Sequence, residues 1–353
     1  MLTVDQFDAL NALRTAGFTN QRKFAKSLGV SLGKANALLS QFAASGWIRK
    51  DHSLTRLGFS QLKPHKVDNA IIMAAGLSSR FAPLSYEKPK GLLKVKGEVL
   101  VERQIRQLQE VGIKDITVVV GYMKEKFRYL VDKFGVTIVE NDDYHRYNNT
   151  STLIRVLRKL KNTYICSSDN YFVRNVFEPY VYQAYYAATF FPGPANEWGV
   201  KSDKKGLITG ISHYPIGMWC MMGHVYFDRA FSADFKFILK EEYKKDTTKK
   251  ELWEAVYERN VKRLKMHVRK YEDGIIYEFD SLDDLRRFDG SFFENCGSRI
   301  IRRICGILGC KESEVVGIKV VSGDVDDLAF AFLCRKKSYV YHNATKTVEE
   351  MKT

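Results

Sequence analysis

The 353-residue sequence lacks long apolar runs, paired cysteines and a recognisable leader. No stretch approaches the ~18 uninterrupted apolar residues of a membrane span. The N-terminal sequence carries Asp5 and Asp8 and has no apolar run typical of a signal peptide. Six cysteines occur without a CxxC pair in a chain long enough to fold without disulfides. We therefore expect a soluble protein of a reduced, cytoplasmic compartment.

The sequence also lacks metal-binding histidine patterns, and its acidic residues are outnumbered by basic ones. The seven histidines show neither HxxxH nor HExxH spacing, and no Ser-His-Asp arrangement can be argued, so a zinc site and a serine nucleophile are poor hypotheses. The chain has 41 Asp plus Glu against 56 Lys plus Arg, a net charge of +15. Such a balance favours polyanionic partners: nucleotides, phosphorylated metabolites or nucleic acid.

Residues 1–66 form a basic segment, with ten Lys or Arg, three Asp or Glu and a net charge of +7. Apolar spacing predicts three helices: one over residues 7–13, one capped by Asn20 and ended by Gly29, and one over residues 35–42. This charge asymmetry and helical pattern predict a separate N-terminal domain.

A hairpin is predicted next, where Trp47-Ile48 and residues 54–59 flank a polar turn. Three helices followed by a hairpin resemble a winged helix-turn-helix domain, for which DNA or a protein is the expected partner. The side chains expected on or near the exposed face of the third helix are Ser31, Lys34, Asn36, Ser40 and Gln41. Only Lys34 among them is charged, so a protein-contact or vestigial role stays open.

The polar, Pro-containing residues 63–69 indicate a linker to a second domain, placed at residues 67–290. Short apolar strands at 70–74, 116–120 and 136–139 alternate there with helices at 99–111 and 124–134. This alternation predicts parallel pairing in a three-layer αβα sandwich, whose ligands bind beyond the carboxyl ends of the strands.

The alternation stops near Gly290, and residues 291–353 predict a C-terminal α+β appendage with a helix at 299–308 and two or three strands. Residues 314–353 resemble the opening strands of choline-kinase-like phosphotransferases but lack the catalytic acids of that family. We expect a small β-rich appendage without kinase activity, serving as a relic or as a homodimer contact.

A small-residue loop follows the first predicted strand. It comprises Ala74, Ala75, Gly76, Leu77, Ser78, Ser79 and Arg80. Small side chains let backbone N–H groups close around an anion, and Arg80 adds a forked donor for phosphate oxygens. Ten residues after Arg80, Lys90 follows a proline and can reach the same phosphates as a point charge. The loop alone is equally consistent with an ordinary tight turn.

Three carboxylates form the next candidate group. Asp169 ends a strand predicted at 164–168, and Glu278 and Asp280 share one face of a strand predicted at 275–280. Carboxylates that converge on a triphosphate would repel it, and Mg²⁺ resolves that conflict by bridging carboxylate and phosphate oxygens. Helix capping is the alternative, since Asp280-Ser281 can cap the helix that follows.

The loop AAGLSSRFAPLSYEKPKGLL and the following VKGEVLVERQI closely resemble the signature of nucleotidyltransferases of the nucleotide-diphospho-sugar transferase fold. More narrowly, the sequence is similar to the bacterial CTP:phosphocholine cytidylyltransferase family. The resemblance extends over residues 69–289 and includes VGYMKEKF, SSDNYF, NEW and YEFDSLDDLRRFD. One departure is Ser78, where the family often has Gly.

The resemblance implies transfer of CMP from CTP to phosphocholine, giving CDP-choline and pyrophosphate. It implies that Asp169 and Asp280 bind Mg²⁺ and that the 74–80 loop and Lys90 hold the triphosphate. It also assigns nucleotide binding to Asn148, Asn149 and Ser151 at a helix start, although Asn and Ser are ordinary caps.

The acceptor side is expected to be aromatic. Trp198, Tyr226 and Trp253 match places where the phosphocholine family tends to keep aromatic residues, and with Glu278 they can hold a trimethylammonium group. Plain core packing is the alternative for each ring. Rival functions are the same reaction on phosphoethanolamine, 2-aminoethylphosphonate or a sugar 1-phosphate, or a winged-helix DNA-binding regulator that senses a nucleotide.

Overall fold

A computed structural model describes residues 2–322 and 328–351 of the chain. Met1, in the predicted N-terminal domain, and residues 323–327 and 352–353, in the predicted C-terminal appendage, lie outside the described residues. Among the described residues, no helix combines the length and apolar character needed to cross a membrane.

The helices of the described residues are α1 Val4–Ala16, α2 Gln21–Leu28, α3 Leu32–Ala44, α4 Arg56–Leu62, α5 Leu84–Glu87, α6 Leu100–Glu110, α7 Tyr129–Phe134, α8 Asn149–Arg155, α9 Arg229–Glu242, α10 Asp246–Lys249, α11 Trp253–Arg259, α12 Leu282–Phe288, α13 Ser291–Glu294 and α14 Arg299–Leu308. Short 3-10 turns lie at Lys63–His65, Ser79–Phe81, Lys90–Leu92, Lys124–Phe127, Leu157–Lys159 and Glu312–Glu314.

The strands are β1 Asn69–Ala74, β2 Lys94–Val95, β3 Glu98–Val99, β4 Ile116–Val120, β5 Thr137–Glu140, β6 Thr163–Ser167, β7 Tyr171–Phe172, β8 Tyr185–Pro194, β9 Gly199–Ser202, β10 Ile208–Ser212, β11 Ile216–Phe227, β12 His267–Tyr271, β13 Ile276–Tyr277, β14 Val316–Ser322, β15 Ala329–Cys334, β16 Lys337–His342 and β17 Thr347–Glu350.

The centre of the molecule is a nine-stranded mixed sheet with the path β10-β9-β11-β6-β1-β4-β5; in addition, β8 pairs with β11, and β12 pairs with β8. Strands β6, β1, β4 and β5 are parallel, as predicted. The sheet is not parallel throughout, because β11 pairs with β6 and β8 in antiparallel register. The predicted α/β class is confirmed, with this mixed sheet as its core.

Side chains alternate between the two faces of the sheet and produce two buried layers. Ala70, Ile72 and Ala74 of β1 pack with α6 and α7, whereas Ile71 faces the cluster that contains α8, α9 and α11. Helices therefore cover both faces of the sheet, and the polar loops collect at the carboxyl ends of the parallel strands.

The first 62 residues contain a buried cluster of their own. Asn20 caps α2, Gly29 ends it in a left-handed conformation at φ 63°, and Ser31 caps α3. The predicted hairpin is wrong in its second half: Ile48 and Leu54 form a single bridge, and α4 begins at Arg56.

Two contacts explain why a helix replaces the second hairpin strand. The Thr55 hydroxyl accepts a hydrogen bond from the backbone N–H of Gly58 (3.1 Å) and so caps α4. A Cβ at Gly58 would overlap the Trp47 carbonyl oxygen, so α4 packs closely against that segment. These contacts favour a helix at residues where apolar alternation had indicated a strand.

The predicted linker is ordered and packed. His65 stacks on Tyr182, with ring centroids 5.1 Å apart, and lies 5.0 Å from the ring of Phe7. The backbone N–H of Val67 donates to Pro179 (3.0 Å), and Val67 is buried. Residues 63–69 thus join the N-terminal segment to the sheet by side-chain and backbone contacts.

The C-terminal residues form helix α14 and an antiparallel sheet in the order β14-β15-β16-β17. Their buried side chains belong to one cluster with Phe81, Leu84, Tyr171 and Phe279 of the preceding region. The predicted boundary at residue 290 stays a proposal, although buried residues from both sides of it share this cluster.

Arg286 of α12 stabilises that junction. Its side chain is fully buried, and its guanidinium donates to the carbonyl oxygens of Phe292 (3.3 Å), Val315 (2.6 Å) and Glu312 (2.6 Å). An ion pair with Asp283 at 3.4 Å offsets part of the cost of burying the charge. The helix that follows Asp280 is therefore held by the C-terminal residues.

Candidate active site

A cavity of about 620 Å³ opens at the carboxyl ends of β1 and β6. The complete predicted small-residue loop lines it: Ala74, Ala75, Gly76, Leu77, Ser78, Ser79 and Arg80. Asn148, Asn149, Lys90 and Asp169 line the same cavity. The structure therefore brings these residues together from four separate segments of the chain.

The loop conformation explains why glycine is frequent at the position of Ser78 in the family that the sequence resembles. This residue has φ 54° and ψ 47°, a left-handed conformation in which glycine is unstrained and a side chain costs roughly 1–2 kcal/mol. Gly121 supports the loop from the next strand, because a Cβ there would lie 2.7 Å from the Ala75 carbonyl oxygen. The close approach allows the backbone N–H of Tyr122 to donate to Ala75 (3.0 Å).

Lys90 is directed into the cavity by its neighbour Gly91. A Cβ on Gly91 would lie 2.6 Å from Ser168 Oγ, so only glycine lets this turn pack against the end of β6. The Lys90 side chain is 6% exposed, and its Nζ lies 2.9 Å from Asp169 Oδ2 and 3.9 Å from Asp280 Oδ1.

Burial alone would lower the pKa of Lys90, but the charges of Asp169, Glu278 and Asp280 outweigh it and raise the pKa above the ordinary lysine value. Lys90 is therefore a buried cation that these carboxylates hold in its charged form.

Two short strands bring the carboxylates together. Strand β7, just after Asp169, pairs with β13, just before Glu278. The predicted strand at 275–280 is shorter than expected, because pairing ends at Tyr277. Glu278 and Asp280 nevertheless line one cavity, as their spacing predicted. Ser281, not Asp280, caps α12 through its hydroxyl, so Asp280 remains directed to the site.

The donor set fits a cation held jointly by protein and phosphate oxygens. Asp169 and Asp280 converge on one ammonium, and Asp169 Oδ1 is buried without a hydrogen-bond partner. Across residues 2–322 and 328–351, no group of three or more His, Cys, Asp or Glu side chains could hold a metal. Two carboxylates are sufficient for Mg²⁺ when substrate phosphates complete its coordination.

Of the three polar residues at the start of α8 that were predicted to bind the nucleotide, Asn148 and Asn149 line the first cavity and Ser151 does not. Helix α8 begins at Asn149, with Asn148 as its cap. Asn149 Oδ1 accepts a hydrogen bond from the backbone N–H of Trp253 (2.6 Å), which fixes its side chain. Ser151 is 1% exposed and does not line the cavity; its hydroxyl donates to the Asn148 carbonyl oxygen (2.7 Å). We therefore correct Ser151 from a ligand-contacting to a supporting residue.

A second cavity of about 380 Å³ adjoins the first, and Arg80, Asn149 and Ser167 line both. Its other lining residues are Tyr186, Asn196, Glu197, Trp198, Met221, Met222, Gly223, Leu252, Glu254, Glu278 and Asp280. The guanidinium of Arg80 lies 3.8 Å from Asp280, at the junction of the two cavities. A group bound in one cavity is thus adjacent to a group bound in the other.

Three glutamates give the second cavity an acidic lining. Burial and the charge of Asp169 raise the pKa of Glu278 to about 8, and burial and the charge of Asp280 raise the pKa of Glu197 to about 7. Burial also raises the pKa of Glu254. A bound cation would stabilise the ionised forms of these carboxylates and so offset the repulsion between them.

Of the three aromatic rings predicted on the acceptor side, the structure places one in a cavity lining. Trp198 lines the second cavity. Tyr226 is fully buried in the sheet core beside Tyr164 and Tyr185, and Trp253 is 1% exposed among the side chains of α9 and α11. Neither belongs to the cavity lining, so we correct both to core residues.

Sequence reasoning missed Tyr186 and Glu254. The Tyr186 ring stacks on Trp253, with centroids 5.8 Å apart, and its hydroxyl donates to Glu254 Oε1 (3.1 Å). Asn149 Nδ2 donates to Glu254 Oε2 (3.3 Å) and so connects the two cavities. The sequence signal that could have found this pair is Glu254, an acid directly after Trp253. An acid in the first turn of a helix is usually explained by its favourable interaction with the helix dipole, so it does not by itself indicate a binding site.

Comparisons with known proteins agree with this geometry. The profile of the MobA-like NTP transferase domain matches residues 70–213. A choline-phosphate cytidylyltransferase of Streptococcus pneumoniae is 33% identical over 220 residues, which span 62% of this chain and 96% of the relative. A 2-aminoethylphosphonate cytidylyltransferase of Lancefieldella rimae is 32% identical over 228 residues, spanning 64% and 93%.

The solved structure of the CTP:phosphocholine cytidylyltransferase from Streptococcus pneumoniae superposes with a TM-score of 0.61 at 33% identity. The match covers 63% of this chain and 98% of that one. The matched fold therefore includes nearly the whole of the pneumococcal enzyme.

Proposed function

Because this chain belongs to the cytidylyltransferase family of nucleotidyltransferases, we propose that it transfers CMP from CTP to phosphocholine, releasing CDP-choline and pyrophosphate. The observation that carries this proposal is the pair of adjoining cavities. One is lined by the small-residue loop and Lys90, and the other by Trp198, Tyr186 and glutamates. A triphosphate suits the first and a cationic head group the second.

The reaction needs alignment and charge stabilisation, and no covalent enzyme intermediate. A phosphate oxygen of the acceptor attacks the α-phosphorus of CTP, and the bond to the β-phosphate oxygen breaks as pyrophosphate leaves. Backbone N–H groups of the 74–80 loop, with Arg80 and Lys90, hold the triphosphate and neutralise the leaving group. Lys90 already lies buried at this position, so its charge is in place before the substrate binds.

Asp169 and Asp280 are the residues that would hold Mg²⁺, which would supply charge stabilisation at the α-phosphoryl group. Their convergence on Lys90 and the unpartnered Asp169 Oδ1 support this assignment. Asn170 donates from Nδ2 to Glu278 Oε2 (3.0 Å) and holds that carboxylate beside them. Glu278 thus orients the site or attracts the acceptor's ammonium.

The second cavity suits a trimethylammonium group, because two aromatic side chains line it with carboxylates beside them. Tyr186 and Trp198 supply the rings, and Glu197 and Glu254 supply the acids. A quaternary ammonium has no N–H to donate and binds well to aromatic faces, each contact contributing about 0.5–2 kcal/mol.

A second candidate acceptor is 2-aminoethylphosphonate, the acceptor named for the Lancefieldella rimae relative. It is favoured by the same three glutamates, because a primary ammonium needs hydrogen-bond acceptors rather than rings. The placement of Tyr226 and Trp253 in the core reduces the aromatic lining and strengthens this alternative.

An acceptor screen tests the proposal. Purified protein with Mg²⁺ and each nucleoside triphosphate is given phosphocholine, phosphoethanolamine, 2-aminoethylphosphonate or a sugar 1-phosphate, and pyrophosphate release is measured. We expect CTP and phosphocholine to give the highest kcat/KM, about tenfold above the primary amines, which corresponds to about 1.4 kcal/mol. A higher kcat/KM for 2-aminoethylphosphonate would replace phosphocholine as the acceptor and retain the reaction.

The variant Trp198→Ala locates the head group. We expect a rise of about tenfold in KM for phosphocholine with an almost unchanged KM for CTP, because one cation–π contact is lost. Trp219→Ala is the matched control, since Trp219 lies on β11 with Lys270 over its ring and does not line the cavity. Equal effects of both variants on phosphocholine would remove Trp198 from the acceptor site.

A further inference from the structure

Helices α2 and α3 lie in a segment whose charge is one-sided. Residues 9–50 contain seven Lys or Arg side chains and no Asp or Glu. We propose that this N-terminal surface binds the phosphate backbone of a nucleic-acid duplex, a partner unrelated to cytidylyl transfer. The site would be centred on Arg22, Lys23 and Lys26 of α2.

The backbone places α2 and α3 as a helix-turn-helix pair. Gly29 ends α2 in the left-handed conformation, and Ser31 caps α3 two residues later. Phe24 and Ala25 of α2 and Leu38 and Phe42 of α3 are buried in one cluster, which fixes the two helices relative to each other. The backbones that carry the outer faces are therefore held in fixed relative positions before a ligand binds.

The cations of α2 are available for phosphate. Arg22, Lys23 and Lys26 are exposed, and within the described residues none of them makes an ion pair with a carboxylate. The turn after Ile48 adds Arg49 and Lys50, both exposed. Phosphate is the ligand that several unpaired cations on a fixed surface suit best.

The predicted reading face of α3 is less available. Lys34 forms an ion pair with Asp5 of α1, and Gln41 Oε1 accepts a hydrogen bond from Gln6 Nε2 (3.1 Å). These side chains must break their contacts with α1 before they can reach base edges. The structure thus favours contacts that follow the phosphate backbone over contacts that specify a sequence.

An anionic membrane is a weaker match for this surface. Peripheral helices insert an apolar face together with their cations. On α2 and α3, Leu32 is the exposed large apolar side chain among the described residues, at 41%. One leucine gives too little apolar area, so the surface offers charge without an insertion face.

Salt-dependent binding of the full-length protein to a fluorescent 20-base-pair duplex of arbitrary sequence tests the proposal. We expect measurable binding at 50 mM NaCl and a logarithmic dependence of affinity on salt, with a slope of about −0.9 for each phosphate neutralised. Replacing Arg22, Lys23 and Lys26 together by Gln should lower affinity at least tenfold and reduce the slope by about 3. Cytidylyl transfer should be unchanged in this variant.

A charge-matched control separates a site from a general effect of net charge. Lys201, Lys204 and Lys205 are exposed on the catalytic domain, and replacing these three by Gln removes the same charge. We expect nearly unchanged duplex binding. Three results would each overturn the proposal: equal losses in both triple variants, no duplex binding at 50 mM NaCl, or a salt-independent affinity. Binding to phosphatidylglycerol vesicles without duplex binding would replace nucleic acid by a membrane.

Circular dichroism checks that the triple variant folds, which is expected because all three side chains are exposed. If it does not fold, the single variants Arg22→Gln, Lys23→Gln and Lys26→Gln decide the question. Each should reduce the salt slope by about 1, and three unchanged slopes would refute the proposal.

Discussion

The two ends of the chain are attached to the catalytic core in different ways. Residues 2–62 bury a cluster that contains side chains from their own helices, with Tyr180 and Tyr182 of the core packed against it. The C-terminal residues share one cluster with Phe81, beside the small-residue loop, and Phe279, between Glu278 and Asp280.

This difference shows which end can affect chemistry. The N-terminal contacts, among them Arg14 over the Tyr180 ring at 4.7 Å and Tyr182 donating to the Leu2 carbonyl oxygen at 2.9 Å, lie at the segment that precedes β8. The C-terminal contacts lie within two residues of Glu278, Asp280 and the small-residue loop. We therefore expect substitutions at the C-terminal junction to change turnover and those at the N-terminal junction to leave it unchanged.

The largest effect is expected at the two carboxylates. Asp169→Asn and Asp280→Asn should each lower kcat/KM by about three powers of ten with little change in folding, because a charged ligand is removed without a change of shape. Steady-state rates across a Mg²⁺ series measure this.

The pair also tests the comparison of the two ends. Asp169 follows the central strand β6, whereas Asp280 follows Phe279, which packs on the C-terminal cluster. A near-normal rate for Asp280→Asn would show that the segment held by the C-terminal residues is not catalytic.

The next largest effect is expected for Arg286→Met. Three carbonyl oxygens lose a charged donor, and we expect the free energy of unfolding to fall by about 3 kcal/mol. The turnover of the protein that remains folded should also fall, since α12 follows Asp280 directly. Urea unfolding and the rate per folded molecule are the measurements.

Arg287→Met is the matched control, because Arg287 is the next residue on α12, 73% exposed and paired only with Asp284 within the described residues. An exposed pair of this kind contributes about 0–1 kcal/mol. Equal effects of the two variants would show that the buried guanidinium does not hold the junction.

A smaller effect is expected in the second cavity, which neither terminal cluster lines. The folded pKa of Glu197 is about 7, above the ordinary value of about 4.3 for an unfolded chain. Between these values the folded state binds more protons than the unfolded state, so stability falls as pH rises.

From pH 5 to pH 8 the parent protein should lose about 2–3 kcal/mol more stability than Glu197→Gln, which does not titrate. Urea unfolding across that range measures the difference. Parallel curves for the two proteins would show that Glu197 is not kept protonated by its surroundings.

The smallest effect on turnover is expected for Tyr182→Ala at the N-terminal junction. This change removes the ring that packs on Phe7 and His65, so hydrogen exchange of residues 63–68 should accelerate. The value of kcat should stay within about twofold, because the contact is remote from the carboxylates. A tenfold loss of kcat would abolish the distinction between the two ends.

Local features of the sequence predicted local structure well. The strand Ile116–Val120 and the helix Arg299–Leu308 agree with their predicted bounds, and Asn20 and Gly29 delimit α2 as expected. Caps and periodic apolar residues act within one or two turns of chain, so they are readable without the fold. The second hairpin strand failed because Thr55 and Gly58 stabilise a helix against Trp47, a contact that alternation does not encode.

The sequence by itself determined the α/β class, and it identified the small-residue loop and four polar residues that line the first cavity, namely Lys90, Asn148, Asn149 and Asp169, because these residues stand in motifs at strand ends. Only the tertiary structure decided which aromatic rings line a cavity. Trp253 and Tyr226 match aromatic positions of the phosphocholine family just as Trp198 does, yet both pack in the core. Tyr186 lines the second cavity instead. The side of a strand or helix that meets solvent depends on what packs against it, and β8, β11 and α11 meet only when the sheet is complete.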